Sequence, residues 1–428
     1  MALTLFLVLV LLFALGMPIA FALALATSLA VLIDGRYPQI VVLKQMFTGV
    51  DSFPLMAVPF FILAAELMSG GALTVVLLRF AAQFVSHLRG GLGYANILSL
   101  TLFSGVSGSA MADVAGPGAM MCRMMEKAGY DRDYAAALTA STAIIGPVIP
   151  PSIIMIIYAL QDETVSVGTL FMAGFVPGLM IALAMAGTNW WVSRSRNYRS
   201  GDAMPPLREM LANTWKALPA LFLIVIILVG IRFGVFTPTE ASVVAVFYAF
   251  ACGKWIYRSL RWDALPGILS RAALLTAAVL LIVSASAAFA WVLTVERVPQ
   301  SMAETLIGWN LSPLAFLFAV NILLLLFGIF LEPLPGVMIL VPILAPMAAS
   351  LGIDPVHFAI VVIVNLTLGM ITPPVGGLLF ITSVTVKVGM SALVRQLPPF
   401  LLAHVVVLAL LTLFPALSTW LPHALGFR

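Results

Sequence analysis

One motif occurs twice in this chain, and its two copies are separated by a constant 223 residues. Each copy begins with a glycine, has an aspartate two residues later and a second glycine 17 residues after the first, and ends in a proline pair. The copies are Gly129, Asp131, Gly146, Pro150 and Pro151, and Gly352, Asp354, Gly369, Pro373 and Pro374. Gly105 and Gly328 extend the same register upstream. The register predicts one structural unit that is used twice.

The composition places this unit in a membrane. Apolar residues make up 62% of the 428 residues, charged residues 9%, and the mean hydropathy is +1.14. These values are typical of a polytopic all-α membrane protein. The longest polar stretch, residues 194–216, is predicted to be a loop, so no soluble domain is expected. Cys122 and Cys252 are isolated, which gives no indication of a disulfide framework or a metal site.

Apolar runs define the predicted spans. Residues 3–33 are too long for a cleaved signal peptide and predict a first span that is tilted, or bent near Gly16. Residues 54–68 predict the second span. Five more spans are predicted at residues 133–160, 168–194, 213–235, 238–258 and 270–296.

Two other segments, at about 91–127 and 312–350, each consist of two apolar arms. Each arm is shorter than the roughly 20 residues that a spanning helix needs. The arms are separated by FSGVSGSA at 103–110 in the first segment and by Glu332-Pro333-Leu334-Pro335-Gly336 in the second. Both segments are therefore predicted to be re-entrant helical hairpins. Because five spans lie between them, the hairpins should enter the membrane from opposite sides.

The basic residues give an independent prediction of orientation. With the N-terminus in the cytoplasm, 16 of the 21 Lys and Arg residues fall on the cytoplasmic side, as the positive-inside rule requires. The five outside are Arg36, Lys44, Arg232, Arg297 and Arg428. This distribution explains the net charge of +4 without a nucleic-acid partner. It predicts a periplasmic C-terminus and two inverted repeats, an architecture of secondary transporters.

The first repeat is predicted to cover residues 1–200, with its hairpin on the cytoplasmic side and a broken helix at 133–160. The second is predicted to cover residues 201–428, with its hairpin on the periplasmic side and a broken helix at 355–386.

The proline pairs explain why these helices should be broken. Proline has no N–H, so the carbonyls of Gly146 and Pro147, and those of Gly369 and Met370, lose their helical donors. Unpaired carbonyls inside a membrane are costly unless a cation or water satisfies them. The half-helix beyond each break offers free N–H groups to an anion. A single copy is equally consistent with a kinked helix, but the repetition favours a binding site.

Several polar residues lie close to the predicted breaks and tips. Ser107, Ser109 and Thr372 offer hydroxyl ligands there. Asp113 is a candidate ion ligand, with helix capping as the alternative. Glu66 and Glu332 are the other carboxylates expected at membrane depth, although Glu332 could sit in water at the hairpin mouth. The four histidines, His87, His357, His404 and His423, are expected at the membrane interface.

The sequence contains no metalloprotease, dinucleotide-binding, P-loop or nucleophile-elbow motif in the required context. An enzyme is therefore not expected. A passive channel would need a continuous polar stripe along several spans, and none is present in the sequence.

Three segments carry a family resemblance: SGVSGSAMADVAGPGAMMCRMMEKAGYD, AAALTASTAIIGPVIPPSI and LVPILAPMAASLGIDPVHFAIVVIVNLTLGMITPPVG. They resemble the large membrane subunit of tripartite ATP-independent periplasmic (TRAP) transporters, the DctM-like family, as does GMPIAFAL near the N-terminus. The resemblance implies an elevator-type, sodium-coupled importer of organic acids in the bacterial inner membrane. It also implies two partners, a small four-span DctQ-like subunit and a periplasmic DctP-like binding protein, and no cofactor besides the coupling ion. A stand-alone sodium/anion symporter of related fold is the alternative.

The resemblance also implies the binding residues. The sodium ligands are expected at Ser107, Ser109, Gly146, Val148 and Pro150 in one site and at Gly328, Gly369 and Thr372 in the other. Substrate-binding positions are expected at Gly105, Gly108, Pro151, Ser152, Pro373 and Pro374. The identity of the organic acid is not encoded in a recognisable motif.

Overall fold

A computed structural model describes residues 1–69, 72–198, 204–298, 300–302, 304 and 312–427. Every regular element in these ranges is helical. The predicted boundary between the repeats, at residues 200 and 201, and two of the basic residues used for orientation, Arg199 and Arg428, lie outside the described residues. The predicted all-α fold class is confirmed.

The N-terminal apolar run forms a helical hairpin. Helices α1 (Ala2–Ala14) and α2 (Ile19–Asp34) pack against each other, and the Met1 amino group lies 3.6 Å from Asp34 Oδ1 and 3.3 Å from Glu296 Oε2. Gly16 reverses the chain with a φ of +76°, a conformation that glycine adopts at little cost. The prediction of one first span is therefore wrong, since the N-terminus and residue 34 lie on the same face.

Charged groups fix this hairpin to the rest of the protein. Arg36 donates to Asp34 Oδ2 at 2.6 Å and also to Glu296 Oε1. The hydrogen bond from Arg36 lowers the pKa of Asp34. The prediction placed the N-terminus inside and Arg36 outside, but these contacts put both at one face.

Within the described ranges, six helices form the scaffold. They are α3 (Ile40–Val50), α4 (Ala57–Ser69), α5 (Ala72–Val85), α12 (Leu207–Arg232), α13 (Pro238–Ala251) and α14 (Leu265–Val295). Helix α4 packs against α13 and α14, α3 against α14, and α5 against α12. A Cβ at Gly49 would overlap the side chain of Ala287, so α3 and α14 cross at a small-residue contact, as membrane helices commonly do.

The helices other than these six and the N-terminal pair α1 and α2 form a second bundle. From the first half of the chain it contains α6 (Gly91–Ser107), α7 (Ala110–Asp113), a π-helical turn (Val114–Gly118), α8 (Ala119–Lys127), α9 (Arg132–Ala143), α10 (Ile153–Gln161) and α11 (Val167–Ser195). From the second half it contains α15 (Pro313–Phe330), α16 (Pro333–Ser350), α17 (Pro355–Gly369), α18 (Gly377–Val386), α19 (Met390–Gln396), α20 (Pro398–Leu413) and α21 (Ala416–Ala424).

The 223-residue register holds in three dimensions. Residues 110–127, which form the second arm of the first hairpin, correspond to α16, Pro333–Ser350. Each arm follows a two-residue break, at 108–109 and at 331–332, and both broken helices begin at corresponding residues, Arg132 and Pro355. The predicted hairpins and breaks are therefore present.

The open ends of the two hairpins lie at opposite faces. At the first, Gly90 N–H donates to the Tyr198 carbonyl at 3.2 Å and Arg196 Nη1 to Asp131 Oδ2 at 3.0 Å. At the second, Ala349 and Ile353 line a cleft with Asp162. Helix α11 runs from beside Asp162 to Arg196 over 29 residues, a length of about 43 Å at 1.5 Å per residue.

Four described helices are long and apolar enough to cross a membrane: Val167–Ser195, Leu207–Arg232, Trp262–Val295 and Pro333–Ser350. Counting each of three sharply bent pairs as one span raises the number to seven. The first three agree with predicted spans, and the fourth is the second arm of the second hairpin. The predicted span at 133–160 is interrupted between Ala143 and Ile153.

Two histidines lie in the interior. His357 is 1% exposed, with Nδ1 3.0 Å from Ser418 Oγ, and His404 is 2% exposed, with Nδ1 2.8 Å from the Phe400 carbonyl. The sequence did not predict this burial, and the location of both at the membrane interface stays a prediction. Each ring has a local partner that offsets part of the cost of burying it.

Candidate functional site

A cavity of about 190 Å³ lies where the two repeats meet the scaffold. Its walls come from both hairpin tips, both broken helices and two scaffold helices. The lining includes Ser107, Gly108, Ser109, Ala110, Met111 and Ala112 from the first tip, Glu332, Pro333 and Leu334 from the second, Pro147, Ile153, Ile154 and Met370 from the breaks, and Ile62, Ala65, Glu66, Leu275 and Val279 from α4 and α14.

The first tip packs backbone to backbone against the first break. Gly108 has a φ of +59°, and a Cβ there would overlap the Pro151 carbonyl oxygen. A Cβ at Gly146 would lie 2.8 Å from Asp113 Oδ2 and 3.1 Å from Ala110 N. Glycine is required at both positions because the tip and the break approach too closely for a side chain.

Asp113 is completely buried beside this contact. Ser104 Oγ donates to its Oδ2 at 2.9 Å, and Ser107 Oγ donates to its Oδ1. The N-cap of α7 is Ser109, whose Oγ accepts from Ala112 N at 3.5 Å, so the capping alternative for Asp113 is not observed. Among the described residues the carboxylate has no cationic partner within ion-pair distance. A nearby bound cation would balance the charge of the ionised carboxylate.

The second tip contacts the second break through backbone at two glycines. A Cβ at Gly369 would overlap the backbone of Gly328, and Gly376 N–H donates to the Ile329 carbonyl at 3.2 Å. Glu332 is the N-cap residue of α16 but makes no side-chain cap hydrogen bond. Its side chain lines the cavity instead.

The carbonyls freed by the proline pairs are mostly satisfied. Ser152 Oγ donates to the Pro147 carbonyl at 2.6 Å, Thr372 N–H to Gly369 at 3.0 Å, and Leu378 N–H to Met370 at 3.1 Å. The expectation of unpaired carbonyls is wrong for these three, because a serine and the returning chain supply donors. The Gly146 carbonyl accepts no hydrogen bond from the described residues. A carbonyl oxygen has two lone pairs, so those already bonded retain one for an ion.

Three helix N-termini point at the cavity. Helix α7 begins at Ala110, α10 at Ile153 and α16 at Pro333, and all three residues are part of the lining. The first N–H groups of a helix have no intrahelical acceptor, and the macrodipole is positive at this end. In α16 only Leu334 offers such a group among the first three residues, because Pro333 and Pro335 have no N–H. The cavity therefore offers N–H groups that can bind a carboxylate, although two other carboxylates, those of Glu66 and Glu332, border it.

Other predicted site residues lie further from the cavity. A Cβ at Gly105 would meet Ile224 of α12 at 2.8 Å, so this glycine faces the scaffold. The Val148 carbonyl lies against Gly174 of α11. Thr372 Oγ1 donates to the Leu368 carbonyl at 2.9 Å and keeps its lone pairs available. Pro150, Pro373 and Pro374 are not among the cavity-lining residues; their ligand roles stay predictions.

A scaffold ion pair at the cavity was missed by sequence reasoning. Arg271 Nε of α14 donates to Glu66 Oε2 at 2.8 Å, and Glu66 lines the cavity. Glu66 stood out as a carboxylate in an apolar run, but its partner lies 205 positions away. Among the described residues there is no group of three or more His, Cys, Asp or Glu that could hold a metal ion. Sodium is instead held in membrane transporters by carbonyl oxygens of unwound helices.

Comparisons with known proteins match this architecture to one family. The family model described as the DctM component of the tripartite ATP-independent periplasmic transporter matches residues 6–417. The chain is 41% identical over 384 residues to the C4-dicarboxylate TRAP transporter large permease protein DctM of Pseudomonas aeruginosa, with 89% of each chain covered. It is 39% identical to the sialic acid TRAP transporter large permease protein SiaM of Vibrio cholerae, covering 89% of this chain and 88% of that one.

A solved structure matches the fold at lower identity. The crystal structure of the Alcanivorax borkumensis YdaH transporter, reported to have an unusual topology, superimposes with a TM-score of 0.60 at 15% identity and covers 88% of each chain. This similarity concerns the fold alone.

Proposed function

This chain belongs to the family of DctM components, the large permease subunits of TRAP transporters, and we propose that it couples sodium to the import of an organic acid. The transporter is placed in a bacterial inner membrane. The observation that carries the proposal is the cavity bounded by both hairpin tips and both broken helices. A site shared by two inverted repeats can be exposed to either side of the membrane when one bundle moves.

The proposed chemistry divides the site between a cation and an anion. One sodium ion is placed beside Asp113, with the hydroxyl of Ser107 and the unpaired carbonyl of Gly146 as neighbours. A second is placed at the other break, where Thr372 offers a hydroxyl near Gly369. The substrate carboxylate is placed at the N-termini of α7 and α10. Sodium then lowers the repulsion between the bound anion and the carboxylates around it, which couples the two bindings.

The bundle of hairpins and broken helices is proposed to move as one elevator body against the scaffold helices α4 and α14. The basic residues keep the open end of the first hairpin in the cytoplasm. Since Met1 lies beside Asp34 at the other face, the N-terminus is then periplasmic, as is the C-terminus.

Two partners are proposed from the family. One is a small four-span membrane subunit, and the other is a periplasmic binding protein that delivers the acid. A relative named isethionate TRAP transporter permease protein DctMQ, from Oleidesulfovibrio alaskensis, is matched over only 62% of its length. Its name and extra length agree with a large and a small subunit joined in one chain.

Sodium coupling is tested with Thr372→Ala in proteoliposomes that contain the small subunit and the binding protein. Losing one hydroxyl ligand should raise the sodium concentration for half-maximal uptake by about tenfold, the equivalent of about 1.4 kcal/mol. Thr382→Ala is the matched control, because Thr382 also donates to the carbonyl four residues earlier but lies outside the site. Equal sodium dependence of both variants would exclude Thr372 as a ligand. Robust uptake without the binding protein would favour a stand-alone symporter.

A further inference from the structure

A second, larger cavity lies on the outside of the second bundle, between α11 of the first repeat and α20 of the second. This groove has a volume of about 880 Å³. Two of its lining residues carry a polar side-chain group: Thr188, whose hydroxyl donates to the Ala184 carbonyl at 2.9 Å, and Trp191, whose indole N–H lies at one end. Apart from the Trp191 indole at that end, no polar side-chain group in the groove therefore needs a ligand partner. The occupant must be apolar over the length of the groove.

Small residues create the groove. Gly187 lies at its floor, and a Cβ there would have no atom within 4 Å. Ala184 and Ala403 leave similar space on the two walls. The rims are larger side chains, with Leu183 64% and Leu402 65% exposed. Filling this groove with water would be costly, because water along its walls would find no free polar partner.

The groove is too narrow to hold a whole helix. From Met180 to Trp191 the groove follows α11 for 11 residues, or about 16 Å. Its volume of about 880 Å³ then gives a mean cross-section of about 55 Å². A helix with side chains has a diameter of about 10–12 Å, which corresponds to a cross-section of about 80–110 Å².

One end of the groove is basic. Trp191 closes it on α11, and Arg194 follows one helical turn later on the same side. On the other wall, Pro398 and Pro399 line the same end of the groove. Arg395 precedes them in the chain, in the last turn of α19. Neither arginine forms an ion pair with any residue in the described part of the chain, although the Arg194 guanidinium lies 5.7 Å from the Trp190 ring centroid. Both side chains are exposed.

Arg196, which follows α11, connects the two walls of the groove at this end through a hydrogen bond to α19. Arg196 Nη2 donates to Gln396 Oε1 at 2.5 Å, and its Nη1 donates to Asp131 at 3.0 Å. Asp131 thus has its own cation, which leaves Arg194 and Arg395 as positive charges without a counter-ion. This is the face that the Lys and Arg distribution places in the cytoplasm, where the leaflet is rich in anionic lipid.

We propose that the groove is a binding site for one anionic phospholipid, with an acyl chain between α11 and α20 and its phosphate between Arg194 and Arg395. Arginine binds phosphate through two parallel hydrogen bonds, and basic pockets between membrane helices recognise acidic headgroups. Since α11 and α20 come from different repeats, the lipid bridges the two halves of the mobile bundle and travels with it.

Native mass spectrometry of the purified chain tests the site with two probes, phosphatidylglycerol and phosphatidylethanolamine. The wild type should retain one phosphatidylglycerol in preference to phosphatidylethanolamine. Gly187→Phe should reduce this retention by about tenfold, the factor expected when about two methylene groups lose their buried contacts. Leu179→Phe is the matched control on the same helix, because Leu179 is 47% exposed and lies outside the groove; it should retain lipid like the wild type.

The headgroup is tested by the double variant Arg194→Gln and Arg395→Gln. This variant should bind the two lipids equally while keeping its affinity for phosphatidylethanolamine, and it should elute and unfold as the wild type does. Retention of phosphatidylglycerol by Gly187→Phe at the wild-type level would overturn the proposal. It would also be overturned if the double variant kept the preference, or if the small subunit displaced the lipid in proportion to the complex formed, which would identify a protein helix as the occupant.

Discussion

The two hairpin tips share a backbone but differ in chemistry. Ser109 and Glu332 occupy the same N-cap position in the repeat, and Asp113 corresponds to Gly336. The first tip buries its carboxylate beneath two serine hydroxyls, whereas the second presents its carboxylate to the cavity. Helix bounds and breaks are thus fixed by the repeat, while the polar groups have diverged. In the proposed mechanism the repeated backbone allows access to the site from both sides of the membrane. The different polar side chains give the two tips different ligands.

The contacts below the tips differ in the same way. Gly146 faces the Asp113 side chain and the backbone of Ala110, while the three atoms nearest to a Cβ at Gly369 are all backbone atoms of Gly328. The first break satisfies the Pro147 carbonyl with the Ser152 hydroxyl, and the second satisfies Met370 with the Leu378 N–H. At the first break, side chains therefore make the contacts and donate to the freed carbonyl. At the second break, main-chain groups do both.

The largest effect is expected at the buried carboxylate. Asp113→Asn removes the negative charge from the first sodium site and should raise the sodium concentration for half-maximal uptake by about 10–100-fold, as the loss of a group that supports a metal ligand does. Glu332→Gln should change it by less than about threefold, because Glu332 faces the cavity rather than the protein interior. Sodium titrations of uptake in proteoliposomes compare the two variants. A larger shift for Glu332→Gln would reverse the assignment of the tips.

The next largest effect is expected at the glycine contact of the second half. Gly369→Ala forces a methyl group against backbone atoms of Gly328 and should lower stability by about 1–3 kcal/mol. Gly146→Ala should cost less, since the nearest backbone atoms lie 3.1 Å from a Cβ there, compared with 2.4 Å at Gly369. Gly377→Ala is the control, because a Cβ there would meet nothing within 4 Å. The unfolding temperatures of the purified variants test this ranking of stability losses. An equal loss of stability at Gly146 and Gly369 would contradict it.

A smaller effect is expected at the first break. Ser152→Ala leaves the buried Pro147 carbonyl without its donor and should destabilise the protein by about 1–2 kcal/mol. Val375 occupies the corresponding position in the second half, where Leu378 N–H already satisfies Met370. Val375→Ala should therefore change stability less, even though it removes more apolar atoms. Thermal unfolding of both variants tests this, and equal costs would show that the hydroxyl of Ser152 is not needed.

The sequence predicted the repeated elements well because their period is visible in the chain. Gly, Asp and Pro-Pro recur at one offset, so the hairpins at 91–127 and 312–350 follow from residues that dictate turns and breaks. The N-terminal hairpin was missed for a physical reason. Helices α1 and α2 are both strongly apolar, and the reversal between them is visible only in the structure, in the positive φ of Gly16 and the contact of Met1 with Asp34.

The polar details of the site depended on contacts between distant residues. Two contacts have no local sequence signal. They are the ion pair of Arg271 with Glu66 and the hydrogen bond from the Leu378 N–H to the Met370 carbonyl. Asp113 was recognised as a candidate from its place in an apolar segment. Its two serine donors became evident only when the helix bend brought Ser104 and Ser107 to it.

The central claim is that one unit is used twice in opposite orientations. Lys127 and Ser350 end the second arms of the two hairpins, are both exposed, and lie 223 residues apart. Single cysteines at these positions, in a background lacking Cys122 and Cys252, can be treated with a membrane-impermeant maleimide. In intact spheroplasts the reagent should label Ser350→Cys and spare Lys127→Cys, and inside-out vesicles should give the reverse. Labelling of both cysteines from the same side would contradict the inverted repeat and the two-sided access built on it.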